Sequence, residues 1–152
     1  MNIQIKPIRE GKKHHFYLAS PFFNPDQITR VALVETLLEK HGYTYFSPRK
    51  QSAIGSIADP EVRKEAFKKN VDGIEEAEAI IAITDGKDVG TIFEAGYAYG
   101  KNIPIIYVAF TLGKDGQFNL MLSESAKSTS TTIEDLEKSI LGEEIYYMGL
   151  IE

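Results

Sequence analysis

The 152-residue sequence contains no cysteine. That removes a disulfide framework, a thiolate nucleophile and any Cys-ligated metal in one step. Histidine is nearly as scarce: there are three, and two of them are the adjacent pair His14 and His15. Too few ligands remain for a zinc or haem centre, so no metal is expected. Positive charge is not in excess either. The formal net charge is −5, which excludes a protein whose main task is gripping phosphate backbones through clustered Lys and Arg, so no nucleic-acid partner is expected. Long apolar runs are missing as well. The greasiest stretch, IPIIYVAF at 103–110, is far too short to span a bilayer, and MNIQIKPIREGKKHH at the amino terminus has no apolar core of the signal-peptide kind. The expectation is a soluble cytoplasmic protein with no membrane partner. No P-loop, GxGxxG or Ser-His-Asp arrangement can be assembled, and no cofactor is expected.

What is present is an alternation of short apolar runs and helix signals. HFYLAS at 15–20 is a buried strand stopped by Pro21. Asn24, Pro25 and Gln27 then open a helix whose apolar positions Ile28, Val31, Val34, Leu37 and Leu38 share a side, and Gly42 ends it. YTYFS at 43–47 is a second strand ended by Pro48, followed by a long polar loop, RKQSAIGSIA. Asp59 and Pro60 announce a helix over roughly 60–77, and AIIAIT at 79–84 has the unbroken apolarity of a central parallel strand. The turn DGKD leads into another helix, and IPIIYVA at 103–109 is the fourth strand. Beyond it come a GKDGQ turn, a short NLMLSES segment, a Ser/Thr-rich loop at 125–132 and the helix TIEDLEKSIL. No internal repeat or linker divides residues 1–152, so one domain is expected. The order predicts an α/β fold: a Rossmann or flavodoxin-like three-layer sandwich with a mainly parallel sheet flanked by helices. Ligands in such folds sit beyond the carboxyl ends of the strands.

The stretch DVGTIFEAGYAYGK, from Asp88 to Lys101, follows one of those strand ends. Between its end residues the single charge is Glu94, set among Ile92, Phe93, Ala95, Tyr97, Ala98 and Tyr99. Most helical glutamates face solvent, and that reading stands beside a second: a partly desolvated carboxylate delivered to a pocket, as a nucleophile at a sugar carbon requires. Burial raises its pKa and the helix amino terminus lowers it, so the sequence leaves the sign open. Asp88 is either a plain helix cap or a ligand contact. Gly90 suits a close approach of ligand to backbone. Tyr17, Phe22 and Phe23 are either core or the wall for a planar base.

Together, YLASPFF, NVDGIEEAEAIIAI, DVGTIFEAGYAYGKNIPIIYV and NLM at 119–121 resemble the nucleoside 2-deoxyribosyltransferase family. The likeness runs from about Phe16 to Met121, and its most specific element is the D-x-G-T-x-x-E-x-G-Y-A block between two strands. The resemblance implies that Glu94 is the nucleophile attacking C1′ of a 2′-deoxynucleoside and that the Tyr17 hydroxyl holds that carboxylate. It implies further that Asp88 contacts the nucleoside, Phe23 lines the pocket and Gln51, in the long loop, reads the base. Asn119 matches an asparagine that reaches the sugar in a neighbouring subunit's site, which implies a homo-oligomer, dimer-based and in this family commonly a hexamer. The substrates implied are 2′-deoxynucleosides and free nucleobases. One position departs from the pattern. Asn70 stands where several members carry an aspartate that takes part in proton transfer to the base, and Asp72, turned by roughly 200° on the same helix, cannot replace it. Proton delivery then falls to Asp88, to water, or to bases that leave easily.

Two rival readings use the same fold. A hydrolase of 2′-deoxynucleoside 5′-monophosphates would need a phosphate nest, which Arg49, Lys50 and SAIGS could furnish. A non-catalytic nucleotide-sensing domain would not need an ionised Glu94.

Overall fold

The computed structural model describes residues 6–152; the first five residues of the amino-terminal segment discussed above lie outside them. Five parallel strands form the main sheet: β1 (His14–Ala19), β2 (Tyr45–Phe46), β3 (Ala77–Ile83), β4 (Ile105–Val108) and β6 (Ser128–Ser130), in the order β2-β1-β3-β4-β6. This is a flavodoxin-like three-layer α/β sandwich, and its strand order reverses between β1 and β3. A separate parallel pair joins β5 (Gln117–Phe118) to β7 (Leu150–Ile151). The helices are α1 (Pro25–Lys40), α2 (Pro48–Gln51), α3 (Pro60–Glu75), α4 (Val89–Gly100), α5 (Leu120–Ser125) and α6 (Ile133–Ile140). None of them is long and apolar enough to cross a membrane.

Strand alternation sorts the core into two layers, because successive side chains leave a strand on opposite faces. Tyr17, Ala19, Ile80, Ala82, Ile105 and Tyr107 face Ile74 of α3 and Ala95 and Ala98 of α4. Phe16, Leu18, Ile81, Ile83, Ile106 and Val108 face Val31, Val34 and Leu38 of α1 and Leu136 and Ile140 of α6. The α1 start signal is realised in full: the Asn24 side chain accepts from the Gln27 N–H at 2.9 Å, and Pro25 opens the helix. Gly42, at φ +73°, follows its carboxyl end in the left-handed conformation that glycine adopts without penalty.

Two segments differ from the sequence-based expectation. Pro48 does more than end β2: it is the first residue of α2, where its missing N–H costs nothing, so the loop predicted from Arg49 begins as a helical turn that includes Gln51. The Ser/Thr-rich stretch at 125–132 contains an edge strand of the sheet, β6, in which Ser128, Thr129 and Ser130 are all buried. Hydroxyl pairing makes the burial of the two serines tolerable, whereas the Thr129 hydroxyl has no partner among the described residues. Ser139 of α6 bonds Ser128 at 2.6 Å and Ser130 at 3.0 Å, and Ser128 accepts the Ile145 N–H at 2.8 Å. Removing the shared hydroxyl strands Ser130 and leaves Ser128 only the Ile145 N–H, so Ser139→Ala should lose about 1–3 kcal/mol of stability in urea denaturation. A loss within experimental error would mean that β6 does not depend on this network.

Candidate active site

In an open α/β sheet a reversal of strand order marks a crevice at the carboxyl ends of the flanking strands, here β1 and β3, and the loops leaving those strands lead to residues 20–24 and 84–88. Helix α4 starts from this crevice. Asp88 is its N-cap: Oδ2 accepts from the Thr91 N–H at 2.9 Å and from the Thr91 hydroxyl at 3.0 Å. The capping reading of Asp88 is therefore realised, and both bonds fall on one carboxylate oxygen. Gly90 is exposed, and a Cβ there would come within 3.3 Å of Asp88 Oδ2, so the glycine keeps the approach to that carboxylate clear.

Ala95 and Ala98, both fully buried, let α4 lie close against the sheet, where the facing residues Ala19 and Ala82 are equally small. The neighbouring Glu94 is drawn down with them. Its carboxyl meets Tyr17, which rises from the middle of β1 and is 0% exposed. Tyr17 Oη and Glu94 Oε2 are both sealed from water, and neither completes a hydrogen bond of regular geometry with any group among the described residues. They nonetheless act on each other. Burial, the larger effect, drives the Tyr17 phenol far above its ordinary pKa, and the Glu94 carboxylate adds to the rise. Burial likewise dominates at Glu94 and pushes its carboxyl up to about 7; the Tyr17 hydroxyl works against this by favouring the anion, and the charge on Asp88 raises it further. Lying on the second turn of α4, Glu94 stands beyond the first turn, where the helix dipole is strongest. Desolvation decides the sign.

The remaining residues singled out from the sequence are spread over several elements. Phe23 is 75% exposed after β1, its ring 5.1 Å from that of Phe22. Gln51 turns its carbonyl back onto the Ser47 N–H at 2.8 Å, bracing α2. Asn70 of α3 accepts from the Ser52 hydroxyl at 2.5 Å, which joins α3 to the end of α2. Asp72 points elsewhere, onto Lys68. Asn119 is the N-cap of α5, accepting from the Met121 and Leu122 N–H groups. It lines a cleft of roughly 660 Å³ with Asp85, Lys87, Ile92 and Phe118, which shares the loop after β3 but has neither Tyr17 nor Glu94 in its lining. A smaller cavity of roughly 250 Å³ lies around His15, Phe16 and Lys127, away from the strand-end loops.

Asp85 escaped the sequence reading, where it passes as part of a turn. It is buried and accepts from the Phe110 N–H at 3.2 Å, the Thr111 N–H at 2.6 Å and the Thr111 hydroxyl at 2.7 Å, tying the loop after β3 to the loop after β4. The available signal was an acidic residue immediately following an apolar strand. Among the described residues no group of His, Cys, Asp and Glu is arranged to hold a metal ion.

A buried carboxyl at about 7 rather than its ordinary 4.5 has a thermodynamic consequence. The unfolded chain loses this proton near 4.5 while the folded chain keeps it to about 7, so stability falls as pH rises through that window. The ionised group then costs up to about 3 kcal/mol. Glu94→Gln should accordingly raise the melting temperature at pH 8 and match the wild type at pH 4. A variant less stable than wild type at pH 8 would show that the carboxylate is not desolvated.

The sequence pattern of the family described as nucleoside 2-deoxyribosyltransferase matches residues 16–135. No curated protein matches the chain. Among solved structures, a 2-deoxyribosyltransferase from the psychrotolerant bacterium Bacillus psychrosaccharolyticus is 29% identical with a TM-score of 0.77, over 88% of this chain and 99% of its own. A conserved protein from Enterococcus faecalis V583 is 24% identical with a TM-score of 0.66, over 84% of this chain and 97% of its own. The 2-deoxyribosyltransferase from Leishmania mexicana is 22% identical with a TM-score of 0.62, over 86% and 99%; these last two bear on the fold alone. With a match that spans the sheet, α4 and the crevice between β1 and β3, the chain belongs to the nucleoside 2-deoxyribosyltransferase family.

Proposed function

We propose that this protein transfers 2-deoxyribose between nucleobases by a double displacement on Glu94. The observation that carries the reading is the sealed pair of Glu94 Oε2 and Tyr17 Oη at the reversal of strand order, each lacking a regular hydrogen bond. Buried polar atoms are ordinarily satisfied, and exceptions in a crevice are what a substrate would complete.

In the first step Glu94 attacks C1′ as the bond from C1′ to the base nitrogen breaks, the electron pair leaving with the base, which takes a proton from Asp88 or water. A deoxyribosyl ester on Glu94 remains. In the second step a free base attacks the same carbon through its ring nitrogen and returns its N–H proton to that same group, while the ester bond breaks and the carboxylate is restored. Two inversions give net retention. A sugar without a 2′-hydroxyl lacks an electron-withdrawing group beside the oxocarbenium-like centre, which favours 2′-deoxy substrates.

Tyr17 orients the carboxylate and stabilises its anion. Asp88 uses Oδ2 to cap α4, leaving Oδ1 for the nucleoside, and Gly90 lets the sugar come near the backbone. Phe23 lines the base side, with Gln51 and Asn70 as the polar groups there. The cations that a 5′-phosphate would call on are engaged: Arg49 with the buried Glu35, Lys50 with Glu39 and the Tyr45 hydroxyl. That favours nucleosides over 5′-monophosphates. Asn119, in its own cleft apart from Glu94, fits service to a neighbouring subunit's site within a homo-oligomer.

Incubation with deoxyinosine and adenine should yield deoxyadenosine, and Glu94→Ala should reduce this to background. Free deoxyribose as the sole product, or transfer that survives in Glu94→Ala, would overturn the reading. Because the nucleophile must be ionised, kcat/KM should fall roughly tenfold per pH unit below pH about 7. A profile flat to pH 5 would contradict a carboxylate of this basicity. Mixing inactive Glu94→Ala with inactive Asn119→Ala should restore part of the activity if each site draws on two subunits; no recovery after subunit exchange would place Asn119 outside the shared site.

A further inference from the structure

Tyr17 has no hydrogen bond to fix its ring, yet the proposed chemistry needs its hydroxyl at one place against Glu94. What holds the ring is packing. Phe46, at the end of β2, lies parallel to it, with centroids 5.5 Å apart and planes inclined by 10°. The two residues are register partners in the β1–β2 ladder, so the stack is set by strand pairing.

Phe46 is confined in turn. A Cβ on Gly73 of α3 would lie 3.0 Å from two atoms of the Phe46 ring and 3.2 Å from a third, tight enough that the ring would have to give by a few tenths of an ångström, so the bare glycine lets the ring lie where it does. Gly73 is itself anchored: its carbonyl accepts from the His14 imidazole at 2.7 Å, and the His14 ring stands 5.9 Å from that of Phe46. Burial lowers the His14 pKa, which keeps this imidazole neutral. A continuous line of contacts thus runs from His14 through Gly73, Phe46 and Tyr17 to Glu94.

We propose that Phe46 is a positioning residue that fixes, through its stack on Tyr17, where the Tyr17 hydroxyl stands against the Glu94 carboxylate, with Gly73 setting the place of Phe46. Its description as positioning rests on Glu94 being the reacting carboxylate; the geometry it describes does not. The ionisable groups that act on Glu94 are Tyr17, from β1, and Asp88, from the start of α4. Displacing Phe46 touches the first and leaves the second.

The test is a direct titration of the Glu94 side-chain carbon by NMR in the ligand-free protein, its signal assigned by its absence in Glu94→Gln. The wild-type midpoint is expected at about 7. Tyr17→Phe removes the hydroxyl that favours the anion and should move the midpoint up by roughly one unit. Phe46→Leu should move it in the same direction, Phe46→Tyr should leave it in place, and the double variant Phe46→Leu/Tyr17→Phe should shift no further than Tyr17→Phe alone. Gly73→Ala, which keeps Phe46 but displaces its ring, should reproduce the upward shift and serves if Phe46→Leu fails to fold. A wild-type midpoint in folded Phe46→Leu or Gly73→Ala, or shifts that add in the double variant, would overturn the proposal. Absence of deoxyribosyl transfer in the wild type would refute the proposed function and leave this titration unaffected.

Discussion

Glu94 is half-buried beside a phenol with one carboxylate oxygen sealed from water, and no cation among the described residues pairs with it. Hydrophobic packing of Ala95 and Ala98 forces it there, since a helix that seats those two small residues on the sheet carries the adjacent carboxyl down with it. The desolvation raises the pKa to about 7 and leaves an unsatisfied oxygen in a sealed place. Native proteins are stable by only some 5–15 kcal/mol, so a group that opposes folding by a few is a heavy charge on the fold. The two core layers on either side of the sheet supply what offsets it. The Glu94 carboxylate is destabilised by the same burial that stabilises the residues around it.

The sheet topology decides which residues share that environment. Reversal between β1 and β3 separates the loops at residues 20–24 and 84–88, opening space at the carboxyl ends of the two strands that present Tyr17 and lead into α4. Asp85 keeps the second loop in place by accepting three hydrogen bonds from the neighbouring strand's exit. On the far side, α2 is anchored by polar contacts: Arg49 to the buried Glu35, Gln51 to Ser47, Ser52 to Asn70. The surroundings of Tyr17 and Glu94 are therefore held by apolar packing and strand register, whereas α2 is held by polar side chains.

This division also explains what could be read from the amino-acid sequence. Local signals were legible. Asn24 and Pro25 mark the start of α1, Asp88 the start of α4, and the apolar runs of β1, β3 and β4 stand out because a central parallel strand is greasy on both faces. β6 was hidden because its sequence, Ser-Thr-Ser, carries no apolar period; it is buried by virtue of Ser139, a hydroxyl nine residues beyond Ser130. α2 was hidden because proline signals both a strand's end and a helix's first residue, and Pro48 is both. Glu94 was legible by its isolation, but the sign of its pKa shift depends on depth of burial, which no local pattern encodes. Phe46 was invisible as anything but a strand residue: its partners Tyr17, Gly73 and His14 are 27 or more residues away.

The choice of a phenol as Glu94's companion follows from the same electrostatics. A lysine or arginine at position 17 would satisfy the carboxylate more fully, but the ion pair would pull its pKa far down, and a carboxylate stabilised that strongly is a poor nucleophile. A purely apolar neighbour would leave the carboxyl protonated well above neutral pH. Tyrosine stands between these limits. Burial and the nearby carboxylate push its own pKa up, so it remains a neutral donor across the range in which Glu94 titrates. It can favour the anion without cancelling its charge, which gives the proposed nucleophile a carboxylate both basic and ionised near pH 7. Because the stabilisation comes from one hydroxyl on a rigid ring, it depends on where that ring lies, and a flat aromatic partner set by strand register fixes a ring better than a flexible side chain could.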